Sequence, residues 1–310
     1  MYVDDDTDVV HDANPVHLHQ MIQQKADCSV SWLTDNRMCV AGDKSKLLII
    51  GTRKLRSLKL EEPMKIKVDN KEVEETQSEK LLGVVINNEL TWQEHLHGEH
   101  WREGDQNAPG LVPQLSQRVG ILKRMSKFMT RKRLNHFSNG IFYSKLSYCL
   151  PVFGHVFGLD TYNDSNTRCL SYTKEDNRKI QVLQNSVMRL LTGMRRSTPT
   201  LTLLKETKSL SVQQMIAFQS LIMVHKVVHS GKPVYLADRL KLQVDGVRAR
   251  NQGKLVTINR NLSTSRAGFV YRGSRLFNFL PELIRMDKNL KKFREKVKNW
   301  VKVSIKAKPD

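Results

Sequence analysis

The sequence has no unbroken run of about 18 apolar residues, which excludes a membrane-spanning helix. It holds only 4 cysteines in 310 residues, namely Cys28, Cys39, Cys149 and Cys169, with no CxxC pair. That excludes a disulfide scaffold or a cysteine-rich zinc finger and matches a reducing, intracellular compartment, nucleus or cytoplasm. Also missing are a glycine-rich phosphate loop, a Ser-His-Asp order and an HExxH stretch, and with them the usual signatures of nucleotide binding, serine hydrolysis and zinc proteolysis. The opening Met1-Tyr2-Val3-Asp4-Asp5-Asp6 is acidic where a signal peptide is basic and then apolar. Acidic charge is scarce elsewhere: 31 Asp+Glu face 51 Lys+Arg, leaving a formal charge of +20 and a pI near 9.9.

What is present is enough apolar material for a packed core, 39% of the chain. The charge is unevenly placed. Residues 1–12 carry five aspartates and no Lys or Arg. Basic residues then gather at Arg53-Lys54-Leu55-Arg56, Lys123-Arg124, Arg131-Lys132-Arg133, Arg195-Arg196 and through Lys291–Lys308. One such block is ordinarily a solvated face. Together they carry a like-charge repulsion that a polyanion relieves, and nucleic acid is the expected partner.

Periodicity predicts an α+β chain. Residues 7–12 read as a short strand, and Asn14-Pro15 as the cap and first position of a helix over 15–34. Strands are expected at 46–51 and 81–86, and a hairpin over 64–75 turning at Asp69-Asn70. Gly98, Gly104, Pro109, Gly110 and Pro113 mark 98–113 as a linker loop. Apolar stripes then predict helices through 115–129, 134–150, 180–191 and 212–228, the last two ended by Gly193 and Gly231. Residues 241–275 read as mixed and strand-prone, and 290–303 as a basic helix. The expected divisions are 1–97, the linker 98–113, a helical domain 114–232 and a basic C-terminal region 233–310.

Tyr2-Val3-Asp4-Asp5 resembles the Tyr/Phe-x-Asp-Asp box of reverse transcriptases. Asp43-Lys44-Ser45-Lys46-Leu47-Leu48-Ile49-Ile50-Gly51 looks like the box that follows it. Lys80-Leu81-Leu82-Gly83-Val84-Val85-Ile86, continuing to Leu90-Thr91-Trp92, looks like the primer-grip segment of the non-LTR, LINE-type retrotransposon enzymes. Leu115–Arg124, Leu183-Gln184-Asn185-Ser186-Val187-Met188-Arg189-Leu190-Leu191-Thr192-Gly193 and Leu276-Phe277-Asn278-Phe279-Leu280-Pro281 resemble that group's C-terminal region. The resemblance spans nearly the whole chain and keeps the order of the boxes.

It implies the remnant of a right-hand polymerase palm followed by a mostly helical thumb, and RNA-directed DNA synthesis on an RNA template and DNA primer. By resemblance, Asp4 and Asp5 hold catalytic Mg2+ in the intact enzyme, and Tyr2 faces nucleotide or template. Lys44 lies near the incoming triphosphate, and Leu82-Gly83 touches the primer end. Hard carboxylate oxygens match magnesium, and a glycine turn lets backbone approach a nucleic-acid strand. Asp6 stands where the family shows a hydroxyl residue, and Asp8 where it shows an apolar one. The resemblance places fingers, most of the palm and another metal-binding aspartate upstream, so the chain alone is expected to be an inactive fragment. The missing N-terminal half then joins the expected partners.

Lys123, Arg124, Lys127, Arg131, Lys132 and Arg133, six cations within eleven positions, are the candidate nucleic-acid contacts outside the palm. The alternative function is a non-catalytic basic nucleic-acid-binding module; a third reading is a scaffold whose acidic end pairs with its basic body. Glu94-His95-Leu96-His97-Gly98-Glu99-His100 could offer zinc ligands but reads as a polar loop, and the pair His17 and His19 as weaker still. Cys39 and Cys149 are expected in the core. Two of Trp32, Trp92, Trp101 and Trp300 are expected to pack inside.

Overall fold

The computed structural model describes residues 7–51, 65–73, 75–98, 109–156, 172–243, 253–257 and 268–305. It is mostly helical, 60%, with two small antiparallel sheets of two strands each, an α+β composition. Among the described residues no helix is long and apolar enough to cross a membrane. The chain divides into two compact units, Met1–Thr91 and Trp92–Asp310.

In the first unit, helix α1 (Pro15–Asp35) starts where Asn14 accepts a hydrogen bond from Val16 N–H at 3.0 Å. Residues 7–12 form no strand. Their aspartates bond to the helix region instead: Asp8 accepts from Ser29 Oγ (3.0 Å), and Asp12 accepts from Asn14 N–H (2.6 Å) and meets His17 (2.7 Å). Strands β1 (Ile66–Val68) and β2 (Lys71–Val73) pair about Asp69-Asn70, both at positive φ, the turn that the hairpin reading requires. Gln23 of α1 meets the β1 backbone as a strand would: its Oε1 accepts from Lys67 N–H (2.8 Å) and its Nε2 donates to Lys67 C=O (2.9 Å). Leu47, Ile66 and Val73 form the small core, flanked by Leu18, Ile22, Ile49 and Val68.

Two expected strands differ. Among the described residues, segment 46–51 forms no named strand: it makes the isolated parallel bridge Leu47↔Glu75, and Thr76 N–H donates to Leu47 C=O at 2.7 Å. Segment 81–86 is folded in the middle. It supplies the ends of β3 (Ser78–Leu81) and β4 (Val84–Asn87), joined by Leu82 (φ 47°) and Gly83 (φ 83°). Glycine accepts that left-handed geometry freely, and its neighbour Leu82 is carried into it with the side chain 63% exposed.

The second unit begins with a short helical turn, Gln93–His97, inside the stretch read as a polar loop. Helix α2 (Leu111–Met125) also starts inside the expected linker, since Pro113 falls in its first turn, where no intrahelical N–H is needed. Helix α3 (Arg131–Ser138) runs on through a π-turn at Asn139–Tyr143 and short turns at Ser144–Ser147 and Leu150–Phe153, so the expected helix 134–150 is segmented. Arg118 of α2 donates to the Ile141 carbonyl in the π-turn, where the helical ladder is disturbed. Helices α4 (Lys174–Thr192), α5 (Thr200–Thr207), α6 (Val212–Ser230), α7 (Phe269–Asn278) and α8 (Leu290–Ser304) follow, with short helical turns at Val234–Ala237 and Glu282–Arg285.

Helix α6 is the central one. Its apolar residues lie on nearly every side: Val212 and Ile216 join one core with Leu115, Leu122, Phe142 and Ile180, while Leu221, Val224 and Val227 join a second with Leu276, Phe277, Phe293 and Val297. A helix apolar all round is a buried helix. Helix α7 lies in the region expected to favour strands; among the described residues of that region Leu242 and Leu255 form an isolated bridge, and Leu276 and Phe277 of α7 pack into the core.

The motif around Gln184-Asn185 is a buried amide network. Gln181 accepts from Val212 N–H (2.9 Å) and donates to Gln184 and Asn185 (both 2.9 Å). Gln184 donates to Leu210 C=O (2.8 Å) and Asn185 to Thr200 Oγ1 (2.9 Å). Amide side chains thus satisfy the backbone between α5 and α6. Arg272 of α7 donates to the carbonyls of Gly154, Val152 (2.9 Å) and Pro151 (3.4 Å), and burial lowers its pKa to about 10, leaving it cationic at neutral pH.

Gly110 is the tightest backbone crossing. A Cβ there would lie 2.5 Å from Gly98 N and from His97 C, both backbone atoms. Gly110→Ala should therefore cost about 1–3 kcal/mol through overpacking. The measurement is the urea midpoint, and an unchanged midpoint would refute the crossing.

Candidate nucleic-acid interface

The six cations predicted from sequence come together on one surface turn, and they do so for a packing reason. Leu115 and Leu122 of α2, and Leu134 of α3, are buried, which commits one face of each helix to the core and leaves Lys123, Arg124, Lys127, Arg131, Lys132 and Arg133 exposed. The turn is held by its own backbone: Ser126 N–H donates to Leu122 C=O (2.9 Å), and Phe128 and Met129 N–H donate to Met125 C=O (3.0 and 3.1 Å). No carboxylate of a described residue pairs with any of the six.

The helix ends differ in what they ask of these charges. Lys123 and Arg124 sit in the last turn of α2, where the helix dipole favours cations. Arg131, Lys132 and Arg133 open α3, whose first turn has no acidic residue, so three positive charges crowd the positive end of a dipole. An anion bound at the start of α3 relieves that crowding. Arg131 also points toward the end of α4: its Nη2 lies 3.0 Å from where a Cβ on Gly193 would be, and Gly193 is the α4 C-cap. Arg195 and Arg196, exposed just beyond Gly193, extend the basic surface. Their charge was visible in the sequence as a block, but nothing in the spacing tied 195–196 to 131.

The first-unit candidates occupy separate elements. Lys44 is exposed at the end of a 3-10 turn, Gly42–Lys44, whose Gly42 is buried, beside exposed Asp43, which pairs with Lys71 at 2.9 Å. Leu82-Gly83 forms the tip of the β3–β4 hairpin. Tyr2, Asp4 and Asp5 lie outside the described residues. A pair of carboxylates supplies the hard oxygen ligands that Mg2+ takes. Among the described residues no group of three or more His, Cys, Asp or Glu is arranged to hold a metal.

The histidine stretch has a structural role. His95 is buried with its ring 4.9 Å from Phe153, and burial, then nearby Lys145, lowers its pKa to about 4. His97 Nε2 meets Asp176 Oδ1 at 2.7 Å. Burial alone would raise the Asp176 carboxyl; hydrogen bonds from Thr173 and His97 outweigh it and hold the group below its ordinary value. His100 is outside the described residues. Cys39 is exposed, not in the core, in the irregular stretch that follows α1. Cys149 is half-buried against the α2–α4 core. Trp92 and Trp300 pack against the two large cores, Trp32 is exposed, and Trp101 is outside the described residues. Comparison of the chain with protein-family models, with curated proteins and with solved structures finds no match.

Proposed function

We propose that the chain is the C-terminal part of an RNA-directed DNA polymerase of the non-LTR retrotransposon kind. In this reading it contributes the last palm elements, with Asp4 and Asp5 as the Mg2+ ligands, and a basic helical thumb that grips an RNA template paired with its DNA primer. The order of the boxes along the chain supports the enzyme class. The observation that carries nucleic-acid binding is the turn at 123–133, with six exposed cations, no carboxylate partner among the described residues and three of the charges set against a helix dipole. Flexible cations of this kind contact phosphates and read no sequence, so binding is to backbone.

The test is the salt dependence of binding to an RNA–DNA hybrid. With about five of the six cations on phosphates, log K falls against log salt with a slope of about −4 to −5. Replacing Lys123, Arg124, Lys127, Arg131, Lys132 and Arg133 by glutamine should flatten the slope to near zero from this surface. An isotherm that does not move between low and moderate salt removes the interface. Hybrid binding by a longer chain that still extends no primer would favour the non-catalytic module.

A further inference from the structure

Phe128 stands at the apex of the basic turn with 83% of its surface exposed, while Phe142, Phe153, Phe277 and Phe293 are each almost fully buried. Its neighbours Met125 and Met129 are turned partly inward, and the hydrogen bonds from Phe128 and Met129 to Met125 C=O fix the apex in one shape. An aromatic ring held in water costs free energy unless something covers it. Along the chain it is flanked by exposed cations, Lys123, Arg124 and Lys127 before it and Arg131, Lys132 and Arg133 after it.

We propose that Phe128 is a stacking platform for one unpaired base, so that this turn binds where a duplex passes into single strand. The inference rests on the nucleic-acid reading of the same turn and names the part of the ligand it takes. Inside a duplex each base face is already covered by its neighbours, so a protein ring finds a free face only on an unpaired base. Cations both before and after Phe128 along the turn call for phosphates on both sides of that base. A base in a single-stranded continuation has them, and a terminal pair of a blunt duplex has them on one side only. Because the turn is preformed, little ordering is lost on binding, and base–aromatic stacking keeps its usual strength.

The experiment compares an RNA–DNA hybrid of fixed length, blunt or with a five-nucleotide single-stranded RNA extension, at one salt concentration. The extended probe should bind the 310-residue chain roughly 5- to 150-fold more tightly, the range of one stacked base. Phe128→Ala should erase that difference and leave blunt-hybrid affinity and the salt slope unchanged, since no charge is lost. Phe128→Trp should keep or enlarge the difference, and circular dichroism should show both variants folded. Equal affinity of the wild-type chain for the two probes would overturn the stacking role while leaving backbone binding intact. An equal loss of affinity for both probes in Phe128→Ala would overturn it too, by showing that the ring shapes the turn. Failure to bind either probe would overturn this inference and the reading beneath it together.

Discussion

Joined to an upstream segment bearing fingers and the rest of a palm, the chain should extend a DNA primer on RNA, and Asp4→Ala or Asp5→Ala should reduce that extension to background. The 310-residue chain alone should extend nothing. Neighbouring residues on a strand face opposite ways, so two adjacent carboxylates converge on one cation pair only at a tight turn held by a sheet. Like charges repel, so a carboxylate pair not fixed by a sheet holds magnesium weakly. Phosphoryl transfer tolerates little such looseness, because a site must be fixed to within about half an ångström. Primer extension by residues 1–310 that is sensitive to either substitution would show that these residues suffice for catalysis. Extension by the longer chain that survives both would remove Asp4 and Asp5 from the site.

Acid should destabilise the second unit steeply. Burial lowers the pKa of His95 to about 4, and burial with the Arg272 charge lowers that of His155 to about 3. The unfolded chain takes up a proton at each near the ordinary histidine value of 6.5, which the folded chain refuses. Stability is therefore complete above about pH 6.5 and falls with pH by about 1.4 kcal/mol per unit for each histidine. The loss ends near pH 4 for His95 and near pH 3 for His155. The sum is several kcal/mol, a large part of the roughly 5–15 kcal/mol that holds an ordinary domain folded. Urea midpoints at pH 7.5 and pH 5 measure it. His95→Phe, which keeps an aromatic ring beside Phe153, should shrink the difference between them. A wild-type midpoint that is the same at both would refute the burial of these rings.

The parts legible in the sequence were those governed by local rules. Asn14-Pro15 fixed the start of α1, Asp69-Asn70 fixed the β1–β2 turn, and Gly193 and Gly231 ended α4 and α6 in left-handed caps. The basic turn was legible because charge density needs no tertiary contact to be counted. What escaped depended on partners far along the chain. Nothing local distinguishes a continuous strand over 81–86 from a hairpin bent at Leu82-Gly83, since both keep the same apolar residues. Helix α7 and the Gln93–His97 turn are set by what they pack on, Phe293 and Val297 for one and Phe153 for the other. Nothing local marks Gln184 or Arg272 for its backbone contacts, since their carbonyl acceptors lie 26 to 121 positions away. Tyr2, Asp4 and Asp5, the most specific site residues in the sequence, fall outside the described structure.

Arg272 reaches backbone carbonyls at Gly154, Val152 and Pro151 and, like the amides of Gln181 and Gln184, the contacts described for it use no carboxylate. Buried contacts of this sort are shielded from dissolved ions, whereas exposed lysine and arginine contacts to phosphate are not. One reagent therefore separates ligand from fold. A concentrated chloride wash during purification should strip cellular RNA and DNA from the turn at 123–133 while α7 stays docked, and dialysis back to dilute buffer should return a chain ready to bind again without a refolding step.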